Sequence, residues 1–318
     1  MPESAFGVDA GGTFTKIAAV SGRGKVLRLE EFPTDPAAGP GDFLERVIRV
    51  LELWRRHGIK ASSFGLGLAG DVDHERGTLR LTPNLPGWQG YPFAKEFHQR
   101  LRLPMVVEND ANAAVWGAYV TQLERRPRSV VGVTLGTGVG GGLIIDGRLY
   151  RGATGTAGEI GHTRVAASGE PCHCGARGCL EAYVGNYGIV RTARKLLRAR
   201  PGSGRILRRL VPDLKTLTPK HLKVAAQRGD ALSREVWERT GEMLGLGLAN
   251  VVMALNPDTV VLLGGVSRAG HWLLDPVKRV FLEHPFQTAL RHVSLGRADN
   301  PNAGCVGAAL LAREGAGR

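Results

Sequence analysis

The sequence predicts an α/β protein built as two lobes on one plan, with a metal knuckle in the second. Three observations carry that prediction. The chain has 318 residues, 43% of them hydrophobic, and 45 glycines, the composition of a folded, turn-rich protein. A pattern recurs at an offset of 125: Gly7, Gly11, Gly22 and Arg23 align with Gly132, Gly136, Gly147 and Arg148. Three of the four cysteines, Cys172, Cys174 and Cys179, fall within eight residues.

In chain order, Phe6 to Val20 reads as two strands joined by a glycine turn at Gly11 and Gly12, closed by a second turn at Ser21–Gly24. Val131 to Ile145 repeats the unit around Gly136, Thr137 and Gly138. The backbone N–H groups of such turns can cradle phosphate. In the first, Asp9 can orient a Mg²⁺–phosphate and Lys16 can supply charge. A plain β-turn is the simpler alternative for either hairpin alone; their shared offset favours phosphate. Gly136-x-Gly138-x-x-Gly141 matches a dinucleotide fingerprint by letters. It runs into a strand, Gly142–Ile145, where that motif needs a helix.

Asp42 to His57 places Phe43, Val47, Leu51 and Trp54 on one helical face. Ser63 to Leu68 is a strand. Thr82 to Trp88 is a loop stiffened by two prolines and a bulky anchor, in which Asn84 serves either as a ligand contact or as a turn residue. Pro104 to Ala114 is a strand running into a helix, and Asn109-Asp110 stands at the strand's carboxyl end, where ligands of open α/β sheets bind. A carboxylate there can take a proton from an alcohol that the neighbouring amide holds. An N-cap is the chemistry-free alternative for Asp110; the two hairpins favour catalysis.

Gln122 to Ser129 is a basic break suited to a hinge. Ala182–Leu197 and Leu232–Leu255 read as helices. Thr259–Leu263 is a buried strand followed by Gly264-Gly265, which lets a flat ring or phosphate approach the backbone. Gly304 to Leu311 is a small apolar helix with Cys305 as a buried thiol, and Glu314 to Arg318 reads as a tail.

Cys172, Cys174 and Cys179 with one upstream imidazole suit a closed tetrahedral Zn²⁺ site. The ligand set is His162, Cys172, Cys174 and Cys179, with His173 as the rival nitrogen, wedged between two ligands. A cluster of ordinary buried cysteines is the alternative. Two carboxylates, Glu159 and Glu181, bracket the knuckle, and a structural metal there would fix both towards something polar such as hydroxyls.

The net charge is +13. Arg191 to Arg228 carries twelve Lys/Arg against one acid, Asp213, which is nearly the whole excess. A polyanion patch and a solvated helical face both fit; with no aromatics interleaved for base stacking, the segment favours the solvated face over nucleic acid. No apolar run is long enough to cross a bilayer, no secretion signal precedes the first strand, and clustered thiols fit a reducing cytoplasm.

Six motifs in order resemble the ROK family of bacterial sugar kinases and related repressors. They are Asp9-x-Gly-Gly-Thr13-x-x-Lys16, Pro83-Asn-Leu-Pro-Gly-Trp88, Glu108-Asn-Asp110, Leu135-Gly-Thr-Gly-Val-Gly-Gly-Gly142, Gly158-Glu-Ile-Gly-His162 and Cys172-x-Cys-Gly-x-x-Gly-Cys-Leu-Glu181. The resemblance implies an actin/hexokinase-like (ribonuclease H-like) ATPase fold, with an N-terminal lobe of residues 1–118 plus 302–318 and a larger lobe of residues 119–301. It implies ATP-dependent phosphorylation of a hexose at the 6-hydroxyl, glucose before other hexoses or N-acetylmannosamine. Asp110 is then the general base. Asn84, Asn109, Glu159, His162 and Glu181 contact sugar hydroxyls. Gly11, Gly12, Thr13, Thr137 and Gly138 cradle the ATP phosphates, with Lys16 nearby, Asp9 acting through Mg²⁺ and Gly264-Gly265 close to the adenosine. Members of the family are often dimers or tetramers. A repressor needs a helix-turn-helix ahead of the first phosphate motif, for which Asp9, the ninth residue, leaves no room. Polyphosphate on the basic segment remains an alternative donor.

Overall fold

The computed structural model describes residues 4–316. They form two compact units: residues 4–130 with 142–158 and 300–316, and residues 131–141 with 159–299.

The first unit is built on a five-stranded sheet of order β3-β2-β1-β4-β7. Its strands are β1 (Ser4–Ala10), β2 (Phe14–Ser21), β3 (Val26–Pro33), β4 (Phe64–Leu68) and β7 (Met105–Asn109), with β5 (Asp71–Asp73) and β6 (Thr78–Leu81) forming a separate two-stranded ribbon. β1, β2 and β3 pair antiparallel, whereas β1–β4 and β4–β7 are parallel. The parallel part brings the carboxyl ends of three strands to one edge, where Ala10 pairs with Leu68 and Leu68 with Asn109.

Helix α1 (Gly39–Arg56) buries Phe43, Val47, Leu51 and Trp54, the face its sequence periodicity predicts. With α2 (Phe93–Leu101) it encloses an aromatic core of Phe6, Phe43, Trp54, Phe64, Trp88, Phe93 and Phe97. Helix α3 (Asp110–Thr121) and the C-terminal helix Ala303–Ala316 are buried along most of their length. Gly7 and Gly65 let the C-terminal helix lie directly on β1 and β4: a Cβ at either would strike the carbonyl of Cys305 or Ala308. That helix runs further than the sequence pattern suggests. Glu314 is helical and pairs with Arg125, so the expected tail starts later, and residues 317–318 lie outside the described residues.

The second five-stranded sheet has the order β10-β9-β8-β11-β12. Its strands are β8 (Val130–Leu135), β9 (Val139–Ile145), β10 (Arg148–Tyr150), β11 (Thr259–Leu263) and β12 (Ser294–Arg297). As in the first sheet, the last strand of a three-strand run lies at one edge and a parallel pair, here β11–β12, at the other. The offset seen in the sequence is this repeated topology.

The predicted helix over 182–197 is divided at Gly185 into α4 (Glu181–Val184) and α5 (Asn186–Ala199). A Cβ at Gly185 would lie 2.9 Å from the Glu181 carbonyl, and the chain is extended there. Helices α6 (Arg205–Leu210), α7 (Pro219–Gln227), the long α8 (Ala231–Leu255), α9 (His271–Glu283) and α10 (Thr288–His292) complete the unit. Among the described residues, no helix is long and apolar enough to cross a membrane.

Candidate active site and metal centre

The first unit carries Asp9, Gly11, Gly12, Thr13, Lys16, Asn84, Asn109 and Asp110 of the expected residues. Asn109 ends β7 and caps α3, its Oδ1 accepting from Asn112 N at 3.0 Å, while its Nδ2 donates to Gly70 O at 3.0 Å. The capping role proposed as the alternative for Asp110 therefore falls to Asn109. Asp110 is the first residue of the helix proper, half-buried, with Oδ1 accepting from Ala111 N at 2.9 Å. Behind both lies Glu108, buried at 2% exposure. It accepts from Asn109 N and Asn112 Nδ2, each at 3.0 Å, and pairs with Arg151 Nε at 2.7 Å. A buried carboxylate with every oxygen engaged gives this strand–helix junction a single geometry.

Asp9 stands one residue before the end of β1. Burial pushes its carboxyl up to about 6, with the Lys16 ammonium pulling the other way. The carboxylate lies against Gly304 in the first turn of the C-terminal helix. Lys16 donates to Pro301 O at 2.8 Å in an exposed hydrogen bond that ties its ammonium to the backbone ahead of the C-terminal helix. Gly11 and Gly12 follow Asp9, and Thr13 is exposed. A Cβ at Gly12 would stand 2.9 Å from Asn84 O, which makes the glycine turn and the Asn84 loop neighbours. That loop is anchored from below. Trp88 is fully buried and donates Nε1 to Pro36 O at 3.1 Å, and Thr82 Oγ1 donates to Ala69 O at 2.7 Å. Asn84 is left exposed at the tip.

In the second unit, Gly136, Thr137 and Gly138 make the tight turn between β8 and β9, closed by Gly136 N donating to Gly138 O at 3.0 Å. Glu181, the first residue of α4, is buried beneath it and accepts from Val139 N at 2.9 Å through Oε2. Gly264 adopts φ +87° and presses on the Leu135 backbone; Gly264 and Gly265 are both exposed after β11.

The metal-ligating atoms of His162, Cys172, Cys174 and Cys179 all lie within 4.8 Å of one another. Cys172 Sγ is 3.8 Å from His162 Nδ1, and Cys174 Sγ is 3.7 Å from Cys179 Sγ. A tetrahedral zinc site with Zn–S of about 2.3 Å and Zn–N of about 2.0 Å has edges of roughly 3.5–3.8 Å, so the donor set fits such an ion. Burial pushes the Cys179 thiol up to about 12 and raises the Cys172 thiol as well. The Cys174 thiol is lowered against the opposing effect of burial, through hydrogen bonds with Ala176 and the neighbouring cysteines; a bound cation would favour the thiolate form of all three. With Nδ1 in the cluster, His162 Nε2 faces Glu159, 3.9 Å from Oε2. His173 is outside the cluster: its exposed ring stacks on Tyr187 at 3.9 Å and 18°.

Many basic side chains of Arg191–Arg228 fasten the fold. Arg191 pairs with Glu170 at 3.2 Å, Arg200 pairs with Glu235 at 2.7 Å, Arg194 donates to Leu214 O and Lys215 O, and Arg208 donates to Ser203 O and Leu197 O. Of these, Arg191 and Arg200 face acids, whereas Arg194 and Arg208 bind carbonyls and keep their charge.

Glu108 with Arg151, and Tyr187 with Glu181, are site features that the sequence reading assigned no role. Glu108 could have been found from its place in Glu-Asn-Asp; Arg151 and Tyr187 carry no local signal.

The family model described as "ROK family" matches residues 5–315. A glucokinase of Streptomyces coelicolor is 35% identical over 313 residues, covering 97% of each chain. A glucokinase of Thermotoga maritima is 34% identical over 279 residues, covering 87% of each. Among solved structures, a ROK family glucokinase from Streptomyces griseus in complex with glucose and AMPPNP superposes with a TM-score of 0.85. It is 34% identical, and the match covers 98% of this chain and 99% of that one.

Proposed function

The chain belongs to the ROK family, and from that membership we propose that it is an ATP-dependent glucokinase, transferring the γ-phosphoryl group to the 6-hydroxyl of glucose. The observation that carries this reading is the near-full-length identity to glucokinases. The Glu108–Asn109–Asp110 junction supports it, since Asn109 and not Asp110 is the N-cap of the helix.

Phosphoryl transfer asks the protein for positioning and charge neutralisation more than for covalent chemistry. Asp110 accepts the proton of the attacking hydroxyl, a role worth about 10²–10⁴-fold in rate. Asn84 and Asn109 offer amides to the hexose, and Glu159, His162 and Glu181 offer their polar atoms to its hydroxyls. The backbone N–H groups around Gly11, Gly12, Thr13, Thr137 and Gly138 suit phosphate oxygens, Lys16 adds positive charge, and Gly264-Gly265 leave backbone open for the adenosine. Asp9 would provide a hard oxygen donor for Mg²⁺, which when bound would supply neutralisation of phosphate charge. His162, Cys172, Cys174 and Cys179 would hold a structural Zn²⁺, which would fix the segment between Glu159 and Glu181. Clustered thiols without disulfide pairing suit a reducing cytoplasm.

The test is ADP release with ATP over a panel of hexoses and N-acetylhexosamines. Glucose is expected to give the highest kcat/KM. Turnover with N-acetylmannosamine and none with glucose would overturn the substrate assignment.

A further inference from the structure

Glu181 is held at both oxygens. Val139 N donates to Oε2 at 2.9 Å, and the Tyr187 hydroxyl lies 3.2 Å from Oε1. Cys172 Sγ lies 3.6 Å from the same oxygen, and as a metal-bound thiolate it would have no proton to donate there. Tyr187 is itself held. One contact to its ring is the stacked His173 imidazole, and the Arg191 guanidinium lies 5.6 Å from the ring centroid. Arg191 in turn donates to Pro171 O at 3.1 Å and to Ala182 O, and pairs with Glu170. The Tyr187 hydroxyl also reaches Cys172 Sγ at 3.6 Å, so one phenol touches both the cysteine cluster and the carboxylate.

We propose that Tyr187 is a positioning residue for hexose binding, its clamped ring aiming the hydroxyl that orients Glu181. The inference rests on the reading of Glu181 as a hexose contact. A carboxylate on a three-torsion side chain loses freedom when it grips a ligand, and a partner that orders it beforehand removes part of that cost. Tyr187 does so at Oε1 while Val139 N does so at Oε2, and each oxygen keeps a lone pair for a sugar hydroxyl. His173, which the sequence offers as a metal ligand, supports the ring instead.

The experiment compares Tyr187→Phe, Glu181→Gln and the double variant by calorimetric glucose binding, steady-state kinetics and zinc content. Losing a hydrogen bond to a charged group predicts a rise of about tenfold in glucose Kd and KM for Tyr187→Phe. The KM for ATP and kcat are expected to stay within about twofold, with zinc retained. The double variant is expected to bind glucose no more weakly than Glu181→Gln alone, because the hydroxyl acts through that carboxylate. Glucose binding unchanged in Glu181→Gln overturns the hexose reading of Glu181 and this proposal with it. Weakened binding in Glu181→Gln but not in Tyr187→Phe overturns the positioning role alone. Loss of zinc in Tyr187→Phe also overturns it, by assigning the hydroxyl to Cys172. If the Phe variant does not fold, His173→Ala removes an exposed ring and keeps the hydroxyl. A higher glucose Kd at constant ATP KM then supports the proposal, and an unchanged Kd overturns it.

Discussion

Glu181 Oε2 accepts a hydrogen bond from Val139 N at 2.9 Å, which ties the first turn of α4 to the start of β9 immediately after the glycine turn. A Cβ on Gly138 would run into that carboxylate. Gly138→Ala is therefore expected to disturb phosphate and hexose binding together, raising KM for both ATP and glucose. Steady-state kinetics with each substrate varied checks this; a change confined to ATP would separate Glu181 from the turn.

Arg151 is the cation beside buried Glu108. Arg151→Met keeps the aliphatic stem and leaves the carboxylate without its cation, a loss of about 3–5 kcal/mol for a buried pair broken on one side. Urea denaturation is expected to show it. The junction carrying Asn109 and Asp110 loosens as well, so kcat is expected to fall with stability.

Much of this framework was legible in the sequence, because its signals are local. Glycine turns and closely spaced cysteines each declare themselves within one or two dozen residues, and the offset of 125 repeats such a local unit. The same holds for α1, whose apolar spacing fixes its buried face. What escaped is held by distant partners. Arg151 reaches Glu108 across 43 positions, and Lys16 donates to Pro301 O across 285. The basic segment was visible as charge, but which arginines grip carbonyls of neighbouring loops depends on how α5, α6 and the loops between them fold. His173 and His162 are both imidazoles near cysteines; only the turn geometry sends one to the cluster and the other to Tyr187.

Asp9 gives the free protein a pH signature. Its pKa is raised from the model-compound value of 3.8 to about 6, so the native state binds the proton more tightly than the unfolded chain. Its contribution to stability is complete below pH 3.8 and is lost as pH rises through 6, on the order of 3 kcal/mol. Asp9→Asn is expected to remove that part of the dependence, seen as the difference between the two denaturation profiles from pH 4 to pH 7. Parallel profiles would contradict the assignment.

Cys179 is 1% exposed, and its substitution leaves three donors. Cys179→Ser is expected to abolish stoichiometric zinc and to lower the unfolding midpoint, since a closed structural site contributes folding free energy. Metal analysis with thermal denaturation measures both; a metal-free wild-type protein of full stability would remove zinc from the account.

The central claim is that Asp110 takes the proton of a glucose hydroxyl as ATP delivers its phosphoryl group. The most direct measurement is glucose 6-phosphate formation by wild type and Asp110→Asn side by side, with glucose Kd measured on both. The account predicts turnover reduced by about 10²–10⁴-fold at nearly unchanged glucose affinity. Near-normal turnover in Asp110→Asn would contradict it.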